Sequence, residues 1–333
     1  MEGGHTMSAQ KTVNPLGHIP IPNTEANFRR KLEKYRKYLV AYSFIAPFMI
    51  TFIIFIFVPI VAALALSFFR FDSFSFPTFI GWKNFFEILT QDLIFFQHAI
   101  PNTIKFALMV GPGGYALAFF LAWLIHQMPK SVRDFYTLAI YTPSLFGGVA
   151  MTVVWQVVFS GDRVGYLNSM LLQLGLIQSP VTWLQSPTYF MTIMVIISLW
   201  SSMGVGFLAM LAGLQNVNEE LYEAGRIDGI SNRFQEVFYI TIPAIKPQML
   251  FGAIMAIIGT LKAGSIGALL ASATGQTITP SYSGHLITNH IDDFAFVRYE
   301  FGYAAALSVI LLLFIYGSSR FSFLIFGSKG DEK

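Results

Sequence analysis

The sequence predicts an all-α integral membrane protein with six membrane-spanning helices, on three observations. Of its 333 residues, 54% are hydrophobic and only 12% are charged, against about a quarter charged in a soluble globular domain. Long uncharged runs recur, each able to supply the roughly 20 helical residues that cross about 30 Å of hydrocarbon. Lys and Arg gather at the borders of those runs, not in a stripe, and the formal net charge is only +3; membrane lipid is therefore an expected partner and nucleic acid is not. With no cysteine, the chain has neither disulfides nor thiolate metal sites.

Residues 1–38 are polar and read as an uncleaved cytoplasmic tail, because the apolar run after them is far longer than a signal-peptide core. Within that tail, FRRKLEKYRKY (residues 28–38) has helix-forming composition suited to a membrane surface. A membrane domain is expected over residues 39–327, followed by a short cytoplasmic tail at 328–333. Its first span, 39–69, carries Pro47 and Pro59 and is expected to tilt or kink. The second, 99–125, contains GPGGY at Gly111–Tyr115, a kink and close-packing site inside an apolar run; Lys105, near its outer end, can snorkel. The third is 135–159. From Val164 to Val217 there is no charge, but Asn168, Gln173, Gln178, Pro180 and Pro187 mark the first half as an external loop with a short amphipathic piece, which puts the fourth span at 188–214. The fifth and sixth spans are 247–270 and 301–319.

Basic residues give the orientation. With the N-terminus inside, the cytoplasmic segments hold the cluster from Arg29 to Lys37, then Lys130, Arg133, Arg226, Arg233, Lys246 and Arg320; the external loops, near 70–98, 160–187 and 272–300, hold only Arg70, Lys83, Arg163 and Arg298. Both termini are thus expected in the cytoplasm. Trp82 and Trp183 fit the outer interface.

The loop at 215–246 is an island of charge and glycine between two long apolar segments. Asn218 can cap a short helix with Glu219 and Glu220 in its first turn, Asp228 and Gly229 supply a turn, and Ser231 can cap a second helix. A first helix of about eight residues is too short to be stable alone in water, so it needs a docking surface. Pro243 and Pro247 punctuate the return to the membrane. The plainer reading is an ordinary inter-helix loop that happens to be acidic at one end.

Glu223, Ala224, Gly225, Asp228, Gly229, Phe234, Ile240 and Pro243 match, in order and spacing, the EAA loop of binding-protein-dependent ABC importer permeases. The departures are Gly225 for the second Ala, Ile230 for the Ala after Gly229, and Ile242 for Leu. Further segments share the resemblance: SFIAPF near Ser43, GWKNF at Gly81, NTIKF at Asn102, TPSLFGGVAMTVVWQ from Thr142, and FGYAAALSVIL at Phe301. Together they resemble the carbohydrate-uptake branch, sugar permeases similar to the maltose system's larger membrane subunit, in the bacterial cytoplasmic membrane. The resemblance implies a six-helix permease core whose EAA loop is a coupling helix docked on a cytoplasmic ATPase, with Glu223 contacting a basic residue there and Gly229 turning the chain between the two short helices. It also implies a second homologous permease chain, two copies of the ATPase, an extracytoplasmic substrate-binding protein that selects the solute, and alternating access. No G-x-x-x-x-G-K-[ST] occurs in the sequence, so no cofactor is expected in this chain, and ATP and magnesium are expected in the partner ATPase.

The centres of spans four and five fall at about 200–202 and 258–262, which makes Trp200, Ser201, Ser202, Thr260 and Lys262 the candidate substrate path, since transport sites lie near the midplane. An aromatic face with hydroxyls nearby suits a sugar; the plainer reading of the serines is helix packing. A lysine deep in a helix costs about 2.5–3.5 kcal/mol on insertion scales, so Lys262 points to a role and to an acidic, uronate-containing oligosaccharide, unless the span ends early and the side chain snorkels outward. His98, His126, His285 and His290 lack metal-ligand spacing and read as interfacial. Two rivals remain. A glycerol-phosphate permease of the same branch shares the resemblance, and a secondary transporter would need acidic groups at depth, which no span contains.

Overall fold

The computed structural model describes residues 38, 42–146, 148–261 and 264–326. The expected C-terminal tail and all of the expected N-terminal one except Tyr38 lie outside these, as do Gly147, Lys262 and Ala263. The chain divides into two compact units, one ending at Val61 and the other starting at Ala62.

Helix α1 (Tyr42–Leu66) begins in the first unit. It carries a wide π-helical turn at Ile53–Phe57, where the Val58 amide donates to the Ile53 carbonyl five residues back. Pro59 lacks an N–H and would crowd the Phe55 carbonyl in a regular helix; the wider turn just before it relieves that conflict.

The second unit continues with a two-stranded antiparallel hairpin, β1 (Phe69–Arg70) and β2 (Thr78–Phe79). Asn84, on helix α2 (Lys83–Thr90), fastens it by donating to the Ser67 and Phe69 carbonyls at 2.8 and 3.0 Å. Helix α3 (Phe95–His126) runs 32 residues straight through Pro112 and contains the expected second span. The expected third span is two helices, not one. Helix α4 (Lys130–Tyr141) tightens into a 3₁₀ turn at Thr142–Leu145, and α5 (Gly148–Val158) starts afresh, because Pro143 and the glycine pair after Phe146 disfavour an unbroken helix. The amphipathic piece is helix α6 (Tyr166–Gln173).

The expected fourth span is also divided, into α7 (Pro187–Ser201) and α8 (Val205–Gln215), which meet at 42°. Ser201 and Ser202 donate their hydroxyls to the Ile197 and Leu199 carbonyls at 2.9 and 2.7 Å, drawing on acceptors near the helix end, and Gly204 leaves the helical region altogether (φ −95°, ψ −144°). Helix α9 (Glu219–Ile227) and helix α10 (Arg233–Ala244) form the polar loop, and α11 (Lys246–Leu261) leaves it at 83° to α10, after Pro243. The expected fifth span falls on α11 and on α12 (Gly264–Ala273). Helix α13 (Ile287–Asp292) and helix α14 (Phe301–Phe326) complete the chain. Among the described residues three helices are long and apolar enough to cross a membrane, and six spans result if each of three bent pairs counts once.

Helices α3, α8 and α11 pack on one another, α14 packs on α11, and α12 on α5. The α8–α11 contact is backbone to backbone: a Cβ on Gly206 would lie 3.3 Å from the Gly252 Cα. Small residues allow such approach where hydrocarbon supplies no hydrophobic drive for helices to associate.

Candidate coupling loop and translocation cavity

The polar loop is helix, turn, helix, as expected. Asn218 caps α9, its side chain accepting the Glu220 amide at 3.1 Å, and Glu219 and Glu220 occupy the positive end of the helix dipole. At the other end Gly229 adopts φ +94°. Its amide donates to the Arg226 carbonyl at 3.2 Å and the Ile230 amide to the Gly225 carbonyl at 2.9 Å. This paired closure needs a left-handed residue at Gly229, which glycine adopts without a Cβ clash. The second cap is Asn232, not Ser231: Asn232 accepts the Phe234 amide at 2.9 Å, while the Ser231 amide donates to Gln235 Oε1. Closing the first helix uses Ile230, so the chain stays extended one residue longer than expected before it turns helical at Arg233.

Three contacts fix the two helices against each other. Glu236 receives Arg226 from α9 at 3.7 Å and Arg233 from its own helix at 3.2 Å. The Tyr222 and Thr241 hydroxyls lie 3.0 Å apart, and Thr241 also reaches the Glu236 carbonyl. Gly225 is buried under Ile240, whose Cδ1 lies 2.6 Å from where a Cβ would be. Ala224, Asp228 and Pro243 are exposed. Glu223 is exposed too and, among the described residues, forms no ion pair, because both nearby arginines are committed to Glu236. Ile227 and Phe234 flank the turn with 87% and 72% of their surface open. The loop thus presents an elbow with exposed carboxylates, Glu223 and Asp228 among them, and with exposed apolar side chains at Ile227 and Phe234 beside its turn.

A cavity of about 360 Å³ lies where α7 gives way to α8. Ser201, Ser202 and Thr260 line it together with Tyr115, Gly114 and Gly204. The Thr260 hydroxyl, like those of Ser201 and Ser202, donates to its own helix, here the Ala256 carbonyl at 2.6 Å. All three oxygens therefore keep lone pairs for a hydroxylated ligand, and the first turn of α8 adds backbone amides with no acceptor inside the helix. Trp200 is not part of the lining. One residue on from Leu199 and one before Ser201, its ring turns to another side of α7 and meets Trp155 edge-on at 5.3 Å. Lys262 lies outside the described residues.

Two of the histidines lie inside the protein. His285 and His290 are buried, with 5% and 1% of their surfaces open. His290 Nε2 lies 2.7 Å from Asp92 Oδ2, and His290 Nδ1 lies 3.1 Å from His285 Nε2. Packing of Phe95 and Phe294 on the His290 ring excludes water. Asp92 and His290 are 198 positions apart, so no spacing rule finds the pair.

The family model described as binding-protein-dependent transport system inner membrane component matches residues 114–323. The chain belongs to that family, and it is a membrane-embedded transport permease subunit. It is 32% identical over 280 residues to a probable ABC transporter permease protein, YesP, of Bacillus subtilis, covering 83% of this chain and 87% of that one. It is 28% identical over 321 residues to the arabinooligosaccharides transport system permease protein AraP of the same organism, covering 96% and 97%. Among solved structures it resembles a chain of the bacterial alginate ABC transporter in complex with an alginate pentasaccharide-bound periplasmic protein, with a TM-score of 0.73 at 20% identity over 87% of this chain and 94% of that one. At that identity the likeness is one of fold.

Proposed function

We propose that the chain is one membrane subunit of an ATP-driven importer that carries an oligosaccharide into the cytoplasm by alternating access. The observation that carries the reading is the short route from cavity to elbow: α8 begins at the cavity wall, and only three residues, 216–218, separate its end from α9. Closure of an ATPase cleft around the elbow would be passed along α8 and α11 to the cavity walls as a rocking movement. Glu223, Ala224, Gly225, Asp228, Gly229 and Pro243 form the docking and turning parts, and Glu223 is an exposed carboxylate open to a base on the partner. ATP and magnesium belong to that partner, present in two copies. A second, homologous permease chain completes the path, and an extracytoplasmic binding protein delivers the solute. Both termini and the elbow face the cytoplasm.

The oligosaccharide class is supported by the arabinooligosaccharide permease, which aligns with nearly the whole chain, and by the hydroxyl-lined, otherwise apolar cavity. Lys262, next after Leu261 of α11, is the residue on which an acidic sugar depends. Lys262→Met is expected to lower uptake of uronate-containing oligosaccharides about tenfold and to leave neutral ones near wild type, because only the former lose a charge partner; equal loss for both would remove the acidic reading. The assembly itself is tested by reconstituting the chain with its sister permease, ATPase and binding protein in proteoliposomes. Uptake of labelled oligosaccharide that requires both ATP and the binding protein supports the reading, and uptake driven by an ion gradient alone contradicts it.

A further inference from the structure

At the end of α3 remote from the elbow, four side chains from three separate segments meet in a buried chain. His126, the last residue of α3, borders the elbow with Glu219, Tyr222 and Glu223, whereas Asp92 stands just before its first residue. At about 1.5 Å per residue the 32-residue helix holds these two places nearly 50 Å apart. Asp92 accepts the Phe95 amide at 2.9 Å, the Tyr303 hydroxyl of α14 at 2.9 Å and His290 Nε2 at 2.7 Å. His290 in turn meets His285 at 3.1 Å. The Thr103 hydroxyl of α3 accepts the Ile287 amide, and the Asn102 side chain donates to the Tyr282 carbonyl, so backbone bonds reinforce the same junction.

Bond polarity limits how many protons the chain can hold. With both imidazoles neutral, His285 Nε2–H donates to His290 Nδ1, and His290 Nε2–H donates to the Asp92 carboxylate, so both nitrogens of His290 are satisfied. A proton added at His285 Nδ1 leaves the bonds of the run in place but puts a cation in an apolar enclosure, where burial disfavours the charged form. A second proton sets N–H against N–H and puts two cations side by side in an apolar enclosure. The charged and titratable groups facing the pair are Asp92 before α3, His98 on α3, Asp293 after α13 and Tyr303 on α14, with Glu87 of α2 and Glu300 bearing on Tyr303.

We infer that the Asp92–His290–His285 chain is an acid-releasable latch, which holds segments 91–98 and 283–297 together at neutral pH and frees them when His285 takes up a proton. Burial, then the neighbouring His290, depresses His285 from 6.5 to about 4. A histidine with a depressed value binds its proton more readily when the latch is open. The latch is therefore fully favoured above about pH 6.5, weakens by up to tenfold per unit below that, and gains nothing more from His285 once pH falls under about 4. Burial pushes Asp92 up, but hydrogen bonds from His290, Phe95 and Tyr303 outweigh it and hold the carboxylate below its ordinary value, so Asp92 remains charged through this window.

Hydrogen exchange of the full chain, in its assembled transporter in lipid nanodiscs, tests the latch whether or not the transport reading holds. With rates normalised to the unstructured value at each pH, the opening constants of segments 91–98 and 283–297 are expected to rise together, about thirtyfold, from pH 7 to pH 5. They should recover on return to neutral pH, while α9 stays unchanged. His285→Gln keeps a donor toward His290 without the titration and is expected to change less than threefold. Asp92→Asn is expected to open both segments already at pH 7. Constant protection in the wild type, the same slope in His285→Gln, or loss of protection throughout the molecule would each overturn the latch.

Discussion

Ile240 places its Cδ1 where a Cβ on Gly225 would stand, while nothing lies within 4 Å of a Cβ on Gly229; the two glycines of the elbow are required for different reasons. Gly225 makes room, and its obstruction is the far end of a flexible side chain. Gly229 supplies a backbone angle of φ +94° that a side chain strains even in open space. Asn168 shows a third kind of constraint. Fully buried, it donates to the Ser160, Asp162 and Val181 carbonyls and accepts from the Val181 amide and Trp183 Nε1. Asn168→Ala should cost about 2–3 kcal/mol, since it strands several buried partners at once, and a thermal melt of the purified chain against wild type checks this. The residues of the elbow were legible in the sequence because caps and turns are local: Asn218, Asp228 and Gly229 do what their types favour within a few positions. The roles of Asn168 and of the Asp92–His290–His285 chain were not, because they depend on which distant segments the fold brings together.

Helices α8 and α11 meet through Gly206 and Gly252, directly beside the cavity that both line. A side chain on Gly206 would strike backbone, which cannot rotate away. Gly206→Leu should therefore wedge the two helices apart, destabilise the chain by about 1–3 kcal/mol and reduce uptake. Gly259→Ala, on α11 and lining the same cavity, meets nothing within 4 Å and should leave stability unchanged or slightly raised. Melting temperatures and uptake of the two variants side by side check the contrast. At this scale the sequence yielded the positions of apolar runs but not their continuity. Uncharged length marks a crossing, whereas the breaks at Ser202–Gly204 and near Phe146 come from hydroxyls competing for carbonyls, from proline and from glycine, and these signals sit inside otherwise uniform apolar runs. The same limit misplaced Trp200: a helix turns about 100° per residue, so a neighbour of two lining serines need not line the cavity itself.

One end of α3 abuts the elbow and the other the buried histidine chain, and its middle borders the cavity through Gly114 and Tyr115. Together with α8 and α11, it forms a continuous packed path between the elbow and the cavity. The family was readable from sequence because membrane composition and the EAA spacing each constrain many residues at once. The solute was not, since a few hydroxyls in an apolar wall fit many sugars. The claim that rests on the whole arrangement is that the elbow transmits ATP-driven movement. In proteoliposomes holding the complete transporter, Gly229→Leu should lower oligosaccharide uptake per ATP hydrolysed at least tenfold, or abolish ATPase assembly, while the spans melt as in the wild type. Wild-type uptake per ATP in that variant would contradict the role assigned to residues 215–246.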